Sequence, residues 1–324
     1  MIILDRHELS IDRAPGAGIM FHHFHGGDHP IGQGSINATE FSDLIEFVGY
    51  KRILDAEDWL ARAKSNALRP GDLCITFDDG LACQYEIALP ILEAYGIKAF
   101  WFIYTSPFEE GIQRLEVYRY LRDVAYPNIE SFYNAFYECM EGTEYCDLVS
   151  EGLKSFSAPG YLAEFPFYTN DDRKFRFVRD KLLGPDKYFE IMDCMVLGCG
   201  FDPLSLSRRL FISKERALAL SSAGHVIGLH SHSHPTQLSA LSRCAQKAEY
   251  EENKMRLEEV LERPIRVMSH PCNSYTADTL KVLREIGVNV GFRSNMAELD
   301  GRTSLEFPRE DHANLITHTR ISRG

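Results

Sequence analysis

Two adjacent carboxylates, Asp78 and Asp79, close the apolar run CITFDDG. Neighbouring acids repel, and a plain polar turn needs only Asn or Ser, so the pair calls for a chemical reason. Histidines stand at three comparable places: His22, His23 and His25 after GIMF, His230, His232 and His234 after VIGL, and His270 after IRVMS. Imidazole and carboxylate together suit zinc or a related divalent metal. His230 and His234 are four residues apart, a spacing that lets two imidazoles meet one ion from a helical turn or a tight loop. Two histidines and one carboxylate leave a coordination position for water, whose pKa the metal lowers toward neutrality. One acid of the pair would then ligate and the other take the proton, with the metal charge relieving their repulsion. The metal-free alternatives are a surface Asp-Asp-Gly turn and polar packing at strand ends.

These residues need strands to carry them. Six short apolar runs rich in β-formers recur: AGIMFHHF, LCITFDD, AFWFIYT, HVIGLHSH, IRVMSHP and VNVGFRS. Such runs suit strands buried on both faces, as in parallel sheets. Between them lie helical patterns that stop at Gly96, Gly224 and Gly287, where glycine supplies a left-handed cap. The alternation implies an α/β fold, as a barrel or an open sheet, with ligands at the strand ends. A charged helix over about 239–262 is expected to be a solvated face. From about 107 to 213 the strand rhythm stops and aromatic-rich helical pieces take over, too long a stretch for a plain loop. It is expected to be a helical insertion in a single domain spanning 1–324, with Tyr133, Phe136, Tyr137, Phe165, Phe167 and Tyr168 as its own core.

Composition narrows the partners. Acids outnumber bases 47 to 35, a net charge of −12, which disfavours a nucleic-acid backbone or an anionic membrane surface. No window is long and apolar enough to span a bilayer, and the first residues show no secretory pattern. The eight cysteines include no Cys-x-x-Cys pair, favouring reduced, mostly buried thiols and a cytoplasmic location. Oligomeric state is not legible.

With the residues in view, TFDDG followed by HSHSH, as His-Ser-x-x-His, resembles the first two signatures of the polysaccharide deacetylases, the NodB-homology group of carbohydrate esterase family four. The similarity extends to ALPILEAYGIKAFWFI and LSSAGHVIGLHSHSHPTQLS and covers roughly 15–105 and 210–310. It implies a distorted (β/α) barrel, Asp78 as general base, and Asp79, His230 and His234 as metal ligands. Ser231 would steady the ligand loop by hydrogen bonds; His232 has no role in the motif. The family's third motif, Arg-x-Pro-Tyr-Gly, is here SHPCN, which keeps Pro271 and lacks the arginine. The backbone N–H of Cys272 is the implied oxyanion donor. Arg309, in FPRED, is the first place to look for the charge that orients Asp78. The late Leu-x-His motif has no match, but GIMFHHFH resembles the opening of permuted members, making His22 the candidate acid, with His23 or His25 as alternates.

The resemblance implies a hydrolase that removes an N-acyl group, acetyl first, from an amino sugar in surface-glycan biosynthesis. Its cofactor would be a divalent metal, zinc first, then cobalt, nickel or iron. A nucleotide-linked or lipid-linked sugar is the expected carrier form. The alternatives are hydrolysis of a non-sugar amide or cyclic imide, and a catalytically silent glycan-binding protein. Thiol chemistry at Cys272 is disfavoured, because a metal site with its own water needs no covalent step.

Overall fold

The computed structural model describes residues 9–109, 111–161 and 169–321. Phe165, Phe167 and Tyr168, assigned above to the insertion's core, lie outside the described residues.

The six apolar runs form strands β1 (Ala17–Phe21), β2 (Leu73–Phe77), β3 (Phe100–Ile103), β4 (Val226–Leu229), β5 (Val267–Ser269) and β6 (Val290–Phe292), every residue of which is buried. A seventh, β7 (Arg309–Asp311), has no counterpart in the sequence reading. Its three residues are polar and two are only half-buried, so no apolar run announces it. The order is β6-β5-β4-β3-β2-β1-β7, with all neighbours parallel. Phe292 at the β6 edge also bridges in parallel to Phe307, just before β7. Phe307 N–H donates to Gly291 O at 2.8 Å, and Arg293 N–H to Phe307 O at 3.0 Å. The sheet thereby curls into a nearly closed barrel, the distorted (β/α) barrel expected above.

Barrel closure brings one face of each strand inward. Phe100 and Phe102 on β3, Val290 and Phe292 on β6, and Phe307 form an aromatic floor with Trp59 from the helix Ala56–Lys64. Trp59 lies 4.9 Å from Phe292 and 4.8 Å from Phe307, ring centroid to centroid. Contacts of this size each add about 0.5–1.5 kcal/mol beyond area burial.

Residues Gly111–Leu210 form a second compact unit. Its helices, Arg114–Ala125, Ile129–Cys139, Glu144–Leu153, Asn170–Phe177, Gly184–Gly198 and Pro203–Leu210, enclose Phe132, Tyr133, Phe136, Phe175 and Tyr188. Tyr133 and Phe136 are therefore core residues of this unit, and Tyr137 packs against them half-buried.

Two expectations need correction. Of the eight cysteines only Cys74 and Cys83 are buried; five are exposed and Cys139 is intermediate. The exposed ones lie on outward helix faces or in turns, which an apolar neighbourhood in sequence does not reveal. The charged helix runs Arg243–Leu261, after Ser242 caps it and a 3₁₀ turn at Leu238–Ala240, and its polar residues are not all solvated, as shown below.

Gly291 sits at the barrel seam, where an added Cβ would lie 2.6 Å from the Leu305 carbonyl oxygen. Because the obstacle is backbone, no rotamer change relieves it. Gly291→Ala is expected to destabilise the fold by about 1–3 kcal/mol, read as a lower urea midpoint; an unchanged midpoint would show that the seam yields freely.

Candidate metal and catalytic site

The site lies at the C-terminal ends of the strands and is built from β2 outward. Cys74 and Thr76 set the inward alternation of β2, and Asp78, whose N–H still donates to Phe21 O at 3.1 Å, continues it. Asp79 then turns the chain with φ of 75°, so the two carboxylates diverge. Asp78 is 2 % exposed and Asp79 9 %, which removes the surface-turn alternative.

Asp78 is gripped by Arg309 from β7. Nη1 donates to Oδ1 at 2.6 Å and Nη2 to Oδ2 at 2.7 Å, a bidentate fork. The guanidinium is itself fully buried. Its Nε donates to Arg293 O at 2.9 Å, its Nη1 also reaches Thr76 Oγ1 at 3.2 Å, and its carbon lies 5.7 Å from the Phe102 ring centroid. Gly18 on β1 makes the room: a Cβ there would lie 2.9 Å from Arg309 Cγ. Burial disfavours the Asp78 charge, yet Arg309, then His230, hold its carboxyl below the ordinary carboxylate range. Asp78 is thus an ionised acceptor with a fixed orientation.

Asp79 faces the other way. Its Oδ1 is 3.4 Å from His230 Nε2 and 3.3 Å from His234 Nε2. That oxygen is buried with no hydrogen-bond partner, an arrangement that costs about 1–3 kcal/mol or more for a charged group. Despite desolvation, His234, His230 and His22 keep Asp79 strongly ionised. Burial opposes charge on His230 too, but Asp78 and Asp79 outweigh it and raise its pKa, whereas burial prevails at His234 and lowers it. The pocket therefore draws positive charge. Two imidazole nitrogens and a bare carboxylate oxygen within mutual reach fit a divalent cation of the zinc class.

The loop after β4, which carries His230 and His234, is held by residues that sequence reasoning missed. Ser231 and His234 adopt left-handed φ of 62° and 54°, each costing of order 1–3 kcal/mol that the surroundings must offset. Asn253 accepts from His230 N–H at 2.9 Å and donates to Ile103 O at 3.0 Å. Glu249 accepts from the N–H groups of His232 and Ser233 at 3.0 and 2.8 Å. These two residues, four apart on the helix Arg243–Leu261, share one face, so that part of its polar surface is spent on the loop rather than on solvent. Ser231 Oγ accepts from His234 N–H at 3.2 Å, and His232 Nδ1 lies 3.0 Å from Thr105 Oγ1. Gln84, also unassigned, donates to the carbonyls of His22 and Asp78 at 2.8 and 2.6 Å, tying the two strand ends together.

The remaining sequence-named residues separate. His22 Nε2 is 3.9 Å from Asp78 Oδ2 with its side chain 31 % exposed, so it joins the site and reaches solvent. His23 stacks beside it at 6.4 Å; His25 turns to Ser35 Oγ at 2.9 Å. Cys272 is exposed in a turn at φ of 49°. Desolvation and the Asp79 and Asp78 charges push its thiol up to about 11, which leaves little thiolate for nucleophilic work. The following N–H groups, of Asn273 and Ser274, bond within the turn. His270 points elsewhere: its Nε2 meets Leu305 O at 2.9 Å and its ring stacks on Tyr275 at 4.1 Å.

The polysaccharide deacetylase family model matches residues 65–123 and 205–291, the two stretches that carry β2, β3, β4 and β5 with their site residues. Over these stretches the sequence matches the polysaccharide deacetylases. The matched segments leave out β1 with His22 and β7 with Arg309. No curated protein sequence matches significantly. Among solved structures, the chain resembles the Streptococcus pyogenes deacetylase PplD in complex with acetate (TM-score 0.53, 14 % identity, 92 % of each chain covered). It also resembles IcaB from Ammonifex degensii (TM-score 0.51, 12 % identity, 96 % and 98 % covered) and the BpsB deacetylase domain from Bordetella bronchiseptica (TM-score 0.51, 13 % identity, 94 % and 97 % covered). At these identities the likeness speaks for the fold.

His270 gives the chain a pH-sensitive support beside the site. Burial, against a modest pull from the Leu305 carbonyl, lowers its pKa from 6.5 to about 4. The unfolded chain therefore takes a proton below about 6.5 that the folded chain refuses until about 4. Its contribution to stability is complete above that window and is lost as pH falls through it. Urea midpoints at pH 7.5 and 5 are expected to drop on acidification in the wild type and to drop less in His270→Gln; equal drops would remove His270 from the account.

Proposed function

We propose that this chain hydrolyses the N-acetyl amide of an amino sugar, with zinc as the cation and the helical unit as an insertion within one deacetylase domain. The match of two segments to the polysaccharide deacetylase family model supports the reaction class. The observation that carries the reading is the asymmetry of the acidic pair: Asp78 is ionised, buried and gripped at both oxygens, while Asp79 Oδ1 has no hydrogen-bond partner and faces two imidazoles.

Asp79, His230 and His234 would hold the cation, which supplies Lewis acidity and an acidified water. Asp78 takes the proton from the attacking water. Its forked bonds to Arg309 leave it no freedom to turn away, so proton acceptance needs no reorientation. The Cys272 N–H donates to the acyl oxygen as negative charge develops there. His22, the solvent-reaching imidazole nearest Asp78, gives a proton to the departing amine nitrogen. The products are a free amine and acetate, and the enzyme regains its resting protonation when the Asp78 proton returns to His22 or water.

For the substrate we favour a nucleotide-linked or lipid-linked N-acetylamino sugar of surface-glycan assembly. Acetate release from such sugars, measured against chitin oligomers and polymer, decides between them: turnover of polymer alone would discard the carrier-linked form. Turnover of cyclic imides with none of any N-acetyl sugar would discard the sugar.

Elemental analysis of purified protein should find about one divalent ion per chain, lost in His230→Ala. Asp78→Asn is expected to lower turnover by about 10²–10⁴-fold when assayed at saturating zinc; an unchanged rate would take Asp78 out of the chemistry. Arg309→Ala strands a buried carboxylate and should cost about 3–5 kcal/mol of stability, seen in thermal melts, together with most of the activity.

A further inference from the structure

The base and a ligand meet at a third side chain. Ser269, the last residue of β5, is wholly buried. Its Oγ lies 2.7 Å from His230 Nδ1 and 3.1 Å from Asp78 Oδ1, and its own carbonyl lies 3.1 Å from the same Nδ1. A hydroxyl has one proton to give. Asp78, held ionised in the Arg309 fork, can only accept. The Ser269 carbonyl also can only accept, so it calls for a proton on His230 Nδ1. The one assignment that satisfies every group has His230 Nδ1–H donating to Ser269 and Ser269 Oγ–H donating to Asp78. The reverse assignment, Oγ–H to Nδ1, sets two lone pairs against each other at Asp78 and leaves the carbonyl unserved.

We propose that Ser269 is a positioning residue whose single hydroxyl, accepting from His230 Nδ1–H and donating its proton to Asp78, both presents the His230 Nε2 lone pair to the cation and steadies the base. It rests on the reading of His230 as ligand and Asp78 as base. Its distinctive consequence is coupling. The carboxylate of Asp78 raises the affinity of His230 for the ion through the hydroxyl, so removing either end of the bridge removes the same effect.

The test measures zinc affinity of the full chain by competition with a chromophoric chelator, for wild type, Ser269→Ala, Asp78→Asn and the double variant. Each single change is expected to weaken zinc about tenfold, and the double variant to be no weaker than the worse single one. Multiplicative losses would overturn the bridge. If Asp78→Asn fails to fold, judged by circular-dichroism melts, Ser269→Ala decides alone, and zinc affinity within twofold of wild type overturns the proposal. A wild-type chain that takes up no zinc sinks the metal reading and the bridge with it. A wild type that binds zinc and gives independent losses sinks only the bridge.

Discussion

The forked pair between Arg309 and Asp78 sets the terms for the rest of the structure. Both partners are out of water, where separated charges would cost several kcal/mol each and where only good geometry repays desolvation. Gly18 gives the guanidinium space, Phe102 lies beneath it, and Thr76 and the Arg293 carbonyl take the hydrogens that Asp78 does not. These groups come from β1, β2, β3 and the segment after β6, so the pair can form only when the barrel has curled nearly shut.

A second constraint follows from the neighbour. Asp79 cannot share the arginine, since its left-handed φ turns it toward His230 and His234. Of the non-glycine residues with positive φ among the described residues, Asp79, Ser231, His234, Cys272 and Asn273 all belong to the turns around the site. Strain concentrated there needs support from outside, and Glu249, Asn253 and Gln84 provide it through hydrogen bonds to loop backbone. The barrel thus holds Asp78 from beneath and the strained turns from the side.

The family's usual third motif places an arginine where this chain has Ser269. The exchange is mutually consistent: with the guanidinium arriving from β7, the end of β5 carries a hydroxyl small enough to sit between Asp78 and His230. An arginine at both places would crowd two like charges around one carboxylate.

The six wholly buried strands were legible because burial on both faces writes a continuous apolar run, and the paired acids and the His-x-x-x-His spacing were legible because metal chemistry restricts residue types. β7 was not: three polar residues carry no periodic signal, and only its neighbours in the curled sheet make it a strand. Glu249 looked like a solvated helix charge and Asn253 drew no notice, since their partners are backbone groups of a loop that sequence cannot place. The sequence by itself determined an α/β alternation and the set of groups able to hold a cation and move a proton. Which groups touch was decided by the tertiary structure, because barrel closure alone brings Arg309, 231 residues from Asp78 along the chain, into the one position where its charge is matched.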